Sequence, residues 1–263
     1  MKILLTGYKG FIGSNMYKHL LEQGHKVHGV EMNEVIPPVF KFDRIMHIGA
    51  ISATTETNVE KIMKYNYNYS VDLFERANYW GIPFQFSSSA SVYGLKTEFF
   101  KEDSPVDPKT PYAWSKYMFE NYIKNKITKS NVQMFRYFNV YGPNEEHKGT
   151  QASPYCQFTQ QAKNTGKIRL FENSEKYYRD FIHVDELIDI QTKFMHINTS
   201  GVFNVGTGKT KSFQMVGEEI AKEYNADIEY IPMPKNLKHS YQEYTCADMT
   251  KTQNIFKFNI DVV

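Results

Sequence analysis

The sequence predicts an α/β protein built on a doubly wound parallel sheet, with a smaller α/β unit toward its C-terminus. Three observations lead there. Short apolar runs alternate with stretches of helical period. The first run, Lys2–Thr6, passes straight into a turn carrying Gly7, Gly10 and Gly13 at three-residue spacing. Further on, the strand Phe84–Phe86 leads through Ser87, Ser88 and Ser89 toward Tyr112 and Lys116, four residues apart at the head of an amphipathic run.

Size and charge set the outer bounds. A chain of 263 residues, 41% hydrophobic, can bury one large core or two unequal ones. Its 31 basic and 29 acidic residues leave a net charge of +2, which gives no support to a nucleic-acid or membrane-surface role. Cys156 and Cys246 fit neither a CxxC nor a zinc pattern, so no metal site is expected and a reducing compartment is. The chain begins on a strand, with no leader and no run of about 18 apolar residues. Cytoplasmic location is the expectation.

The glycine turn is the first element with chemistry in it. Without Cβ atoms, Gly7, Gly10 and Gly13 let a pyrophosphate approach the backbone, and the helix that follows turns its free N–H groups and positive dipole end to the anion. Phe11, Ile12, Met16, Leu20 and Leu21 give that helix its apolar stripe, ending near Gly24, and Lys26–Val30 is the next strand. Dinucleotide binding is the reading. Glu31 closes the second strand, where a carboxylate can hold the adenosine ribose hydroxyls; that favours NAD over NADP.

Only eleven residues, 32–42, separate Glu31 from Asp43, and Pro37–Pro38 oppose a helix among them. A further strand with its flanking helices does not fit. The sheet is therefore expected to lack its usual third strand, leaving the second at the edge. Residues 44–48 form the next strand, and the loop beyond it, with Ala50, Ser52 and Glu56, lies where such sheets bind ligands. Asn58–Trp80 reads as helix, with Asn66 and Asn68 on a face that solvent or the cofactor loop can take.

After Tyr112 and Lys116 the helix continues to about Lys126. Strands follow at Val132–Tyr137, Ile168–Phe171, Val202–Val205 and Ile228–Ile231, and helices at Ser153–Gly166, after Val184 and after Ser212. His147, Lys148 and Gly149 lie in a polar loop beyond a strand end. Read from the residues alone, Lys148 is a surface lysine, and Arg179 either holds a phosphate or pairs with Asp180. Residues 237–251 are polar and aromatic without a clear period. Residues 256–263 look turn-like.

At helical spacing the Tyr112 phenol and Lys116 ammonium share one face. With a hydroxyl brought in from a neighbouring loop, they can take a proton from an alcohol while a cofactor takes the hydride.

Six stretches in this order, TGYKGFIG, SSSASVYG, PYAWSK, RYFNVYGP, RDFIHVDE and FNVGTG, resemble the extended short-chain dehydrogenase/reductase family, of NAD-dependent epimerase/dehydratase type. The narrower text (ISATTE, NVYGPNEEHKG, LFENSEKYYRDF) is most similar to the branch that acts at C6 of ADP-heptoses. The resemblance implies a Rossmann-like dinucleotide domain over 1–143, to which segments around 182–210 return. It implies a smaller, C-terminally truncated substrate domain over 144–263, tightly bound NADP or NAD, an ADP-heptose-type sugar nucleotide, and a homo-oligomer.

Carried over by motif, Ser89 is the active-site hydroxyl, Tyr112 a catalytic acid or base, Lys116 the holder of the nicotinamide ribose and a charge that lowers the phenol pKa. Lys148 becomes a second base. Asn33, Ala50 and Asn66 join the glycine turn on the cofactor. Ser52, Glu56, Asn139, His147, Ser153, Phe171, Arg179 and Tyr241 fall to the substrate, with Arg179 on its diphosphate. The implied reaction is inversion at C6 through a transient 6-ketone, returning the cofactor unchanged. Two other readings stay open: a sibling nucleotide-sugar epimerase or dehydratase, and a binding protein that has lost turnover with its missing segment. Ala90 and Ser91, where a dehydratase usually has Asp-Glu, argue against dehydration.

Overall fold

The computed structural model describes residues 1–95, 98–234 and 242–259. From the N-terminus come β1 (Lys2–Thr6), α1 (Phe11–Glu22), β2 (Lys26–Val30) and β3 (Arg44–His47). A helical stretch in three parts follows: α2 (Val59–Ile62), a wider π turn over Met63–Asn68, and α3 (Tyr69–Trp80). Then come β4 (Phe84–Ser89), β5 (Glu98–Phe100), α4 (Pro111–Lys124), β6 (Val132–Tyr137) and β7 (Asn139–Tyr141). The next elements are α5 (Pro154–Thr165), β8 (Lys167–Phe171), β9 (Tyr178–Arg179), β10 (Phe181–His183), α6 (Val184–Lys193) and β11 (Gly201–Val205). Last are β12 (Lys211–Ser212), α7 (Phe213–Tyr224), β13 (Asp227–Ile231), β14 (Tyr244–Ala247) and α8 (Thr250–Asn259).

Six parallel strands form the central sheet in the order β11-β6-β4-β3-β1-β2. Alternate side chains along each strand feed two cores, as a two-faced sheet requires. Ile3 and Leu5 pack with Met16 and Leu20 of α1 and Leu187 and Ile188 of α6. Leu4 and Phe86 face the other way, against Leu73 and Phe74 of α3 and Phe119 and Ile123 of α4.

The second strand lies at the sheet edge, as the short link demands. In place of a third strand, residues 31–43 make a single 3₁₀ turn, Val39–Lys41, that sets Val39 into the α3-side core. The expected strand at 84–86 runs on through Ser89. Its serines pair with Phe135, Arg136 and Tyr137 of β6. A serine run reads as loop in a sequence, but here Ser87 and Ser88 are buried and each hydroxyl has a partner: Tyr137 Oη at 2.8 Å for Ser87, and the Glu120 carboxylate for Ser88.

A second layer packs α5 and α7 on the pair β8–β13. A small sheet, β12-β9-β14-β5, joins it to the loop after β4. Residues 244–247 of the aperiodic stretch are thus a strand, and its residues 237–241 lie outside the described ones. The turn expected over 256–263 is corrected at 256–259, while 260–263 lie outside the described residues: Thr250–Asn259 is helical, because Thr252 and Ile255 give it a side that packs beside β11. Among the described residues, no helix is long and apolar enough to cross a membrane.

Candidate active site

At the carboxyl ends of the central strands opens a cavity of about 510 Å³. Thr6 and Gly7 after β1, Glu31 and Met32 after β2, Ile48 to Ala50 after β3, and Ser87 to Ser89 of β4 form its floor. Gly10, Phe11, Ile12 and Gly13 at the head of α1 form one wall, and Tyr112 and Lys116 of α4 another. The loop after β7 supplies His147, Lys148, Gln151 and Ser153.

The glycine turn is built for close approach. Gly7 has φ +70°, and a Cβ on it would lie 2.4 Å from Gly49 Cα. A Cβ on Gly13 would lie 1.9 Å from the Gly7 carbonyl oxygen, so α1 seats directly on the turn only as glycine. Gly10 caps α1 without a side-chain hydrogen bond, which leaves the first-turn N–H groups to the cavity. These residues fit a dinucleotide pyrophosphate. Beside them, Glu31 accepts the Lys9 N–H at 2.8 Å, and Asn33 is exposed off the cavity rim.

The Lys116 Nζ donates to the Ser87 carbonyl at 2.6 Å and lies 4.5 Å from the Phe86 ring centroid and 5.9 Å from that of Tyr112. Burial pulls its pKa down to about 7, against the pull of Glu120. Burial pushes the Tyr112 phenol up, opposed by a hydrogen bond with Ser89. Lys148 lies over the Phe11 ring at 5.3 Å, and burial lowers its pKa while Glu145 opposes.

Glu145 holds that lysine's loop. Buried itself, its carboxylate accepts from Gly142 N at 3.2 Å, Ser153 N at 2.7 Å and Ser153 Oγ at 2.6 Å. The Ser153 hydroxyl also caps α5. Asn15 of α1 donates to the Pro143 carbonyl at 2.9 Å and accepts from Asn144 at 3.1 Å, so the loop is tied to the glycine-turn helix.

Ser52 and Asn139 line the cavity, but Glu56, Asn66, Phe171 and Arg179 do not. Glu56 is ion-paired to Lys61 at 2.8 Å. Arg179 packs over Phe213 and donates to the Tyr178 carbonyl. Its neighbour Asp180 is buried and serves the loop 206–208, accepting from Thr207 N, Thr207 Oγ1 and Gly208 N, and from Ala247 N. Asn66 is fully buried, which corrects the expectation of a solvated or cofactor-facing side chain. Tyr241 lies outside the described residues.

Sequence reasoning passed over Tyr137, which lines the cavity and sits opposite Ser89 in the sheet. The signal was available: it ends β6 as Ser89 ends β4. Tyr65 and Tyr69 also reach the cavity, and their place in a π turn and its exit left no periodic trace.

A sequence profile of the NAD dependent epimerase/dehydratase family matches residues 3–206. Among solved structures, ADP-L-glycero-D-manno-heptose-6-epimerase of Helicobacter pylori is 26% identical, with TM-score 0.84 over 95% of this chain and 88% of that one. UDP-N-acetylglucosamine 4-epimerase of Methanobrevibacter ruminantium, in complex with UDP-N-acetylmuramic acid, is 23% identical, with TM-score 0.87 over 97% and 91%. UDP-glucose 4-epimerase of Thermus thermophilus, in complex with NAD, is 23% identical, with TM-score 0.82 over 97% and 92%.

Proposed function

The chain belongs to the NAD-dependent epimerase/dehydratase family, and from that premise we propose that it inverts C6 of an ADP-heptose. It takes the D-glycero-D-manno form to the L-glycero-D-manno form through a transient 6-ketone. The observation that carries the reading is the meeting of two proton-handling groups in one cavity: the Tyr112 phenol with Ser89, and the partly desolvated Lys148 on the loop after β7.

A bound dinucleotide supplies a reversible hydride acceptor. The glycine turn and first-turn N–H groups of α1 would hold its pyrophosphate, Glu31 its adenosine ribose, and Lys116 its nicotinamide ribose. Glu31 makes NAD the favoured form. Ketone formation at C6 erases the stereocentre, and reduction on the opposite face inverts it. Each face needs its own proton partner. Tyr112 moves the hydroxyl proton on one side, with the Ser89 hydroxyl steering the same oxygen. Lys148 acts on the other. Burial lowers its pKa, which raises the share of free amine that a base requires. The family relative that acts on a heptose at C6 supports the substrate choice.

The test is incubation with ADP-D-glycero-D-manno-heptose and NAD or NADP, following the C6 isomers by NMR. Conversion that is lost in Tyr112→Phe and in Lys148→Met supports the reading. Turnover of UDP-sugars alone points to a sibling epimerase, and a protein that binds dinucleotide with no turnover of either to a binding role.

A further inference from the structure

Behind the cavity runs a line of buried polar side chains that the proposed chemistry does not use. It starts at Thr6, whose Oγ1 accepts the Gly49 N–H at 3.1 Å and meets His47 Nδ1 at 2.6 Å. His47 Nε2 meets Ser70 Oγ at 2.7 Å, and Ser70 Oγ donates to the Asn66 carbonyl. The Asn66 amide grips Ile51, accepting from its N–H at 2.8 Å and donating to its carbonyl at 3.0 Å. It also donates to Ser115 Oγ at 3.2 Å, and Ser115 Oγ donates to the Tyr112 carbonyl at 2.7 Å.

Donor counting fixes the direction of every link. The Asn66 carbonyl only accepts, so the Ser70 proton goes there. Ser70 must then accept from His47, which places a proton on Nε2. The imidazole is neutral, since its ring lies among Tyr69, Phe84 and Phe86, and burial together with the Lys116 charge pulls its pKa down to about 3. Nδ1 is therefore an acceptor and takes the Thr6 hydroxyl proton. Both ends of the line face the cavity at Thr6, Gly49 and Tyr112, while His47, Ser70, Asn66 and Ser115 do not line it. The π turn over Met63–Asn68 is what swings Asn66 inward to complete it.

We propose that His47, as the neutral Nε2–H tautomer, is a positioning residue: it couples the loops that cradle the dinucleotide to the helix that carries Tyr112. The proposal rests on the dinucleotide reading above, and its first readout needs no dinucleotide. Such a fully satisfied line is stiff, because rotating any one member orphans two buried groups.

The experiment uses full-length protein labelled with ¹³Cζ-tyrosine, the Tyr112 resonance being assigned with Tyr112→Phe. Wild type, His47→Leu and His47→Gln are compared, with ¹⁵N spectra of the wild-type imidazole and NAD titrations. The proposal expects an unprotonated Nδ1, a displaced Tyr112 resonance in His47→Leu, and NAD binding weakened roughly tenfold there. It also expects recovery in His47→Gln, whose amide can donate and accept. If His47→Leu fails to fold, Thr6→Val and Ser70→Ala each cut one link and carry the same comparison. A protonated Nδ1, an unmoved Tyr112 resonance in a folded variant, or equal damage by Leu and Gln overturns the proposal. A displaced resonance in a protein that binds no dinucleotide upholds the positioning and overturns the function reading instead.

Discussion

The Lys116 ammonium nitrogen rests 2.6 Å from the Ser87 carbonyl oxygen, inside the protein and beside the Phe86 ring. Burial holds its pKa near 7 against an ordinary 10.5. Below pH 7 both folded and unfolded chains carry the proton, and the folded one bears the full cost of burying it. Between pH 7 and 10.5 the unfolded chain binds the proton that the folded one has shed, so stability rises with pH across that window. The whole effect is on the order of 5 kcal/mol. Urea titrations of the dinucleotide-free protein at pH 6.5 and pH 9, which span about the lower half of that window, should show about half of the gain. Lys116→Met should flatten the profile in this range.

Glu145 gathers three donors, two of them from Ser153 at the far end of the Lys148 loop. Glu145→Gln turns an amide N–H₂ toward at least one of those donors. We expect a loss of about 1–3 kcal/mol in urea unfolding. Because the loop rather than the glycine turn loosens, kcat should fall more than NAD affinity does. A parallel fall of both would place Glu145 in the cofactor site instead.

The lost third strand was legible because chain length is a hard limit: residues 32–42 cannot hold a helix and a strand, whatever their composition. Tyr112 and Lys116 were legible because a helix converts a spacing of four into one face. What could not be read was polarity satisfied at a distance. Ser88 looks like loop until Glu120 arrives from α4, and Asn66 looks solvated until Ile51 and Ser115 close on it. The polar groups were in plain view, but the partners of Ser88 and Asn66 lie 15 to 49 positions away in the chain.

Behind the serine strand, Arg136 forks onto Glu120, Nε at 3.0 Å and Nη2 at 2.6 Å, and its guanidinium lies 4.7 Å from the Tyr93 ring centroid. Both side chains are almost fully buried. Removing one partner leaves an uncompensated buried charge, at about 3–5 kcal/mol. Glu120→Leu should therefore lower the urea midpoint sharply, and Arg136→Met added to it should restore most of the loss. If the double variant is no more stable than the single, the Ser88 link to Glu120 matters more than the ion pair.

Glu31 and Glu34 place two carboxylates at the end of β2, one accepting the Lys9 N–H and the other the Glu31 N–H. An adenosine 2′-phosphate arriving there meets like charge, whereas ribose hydroxyls meet acceptors. NAD should bind more tightly than NADP. Glu31→Ser removes the nearer charge while keeping a short acceptor, and the Lys9 amine, 3.4 Å from Glu34, stays at hand for a phosphate. The ratio of NADP to NAD affinity should rise roughly tenfold in that variant. Paired titrations at two salt concentrations check the cause, since a charge effect weakens with screening and a shape effect does not. An unchanged ratio would move the adenosine ribose away from β2 and reassign Glu31 to holding the Lys9 turn.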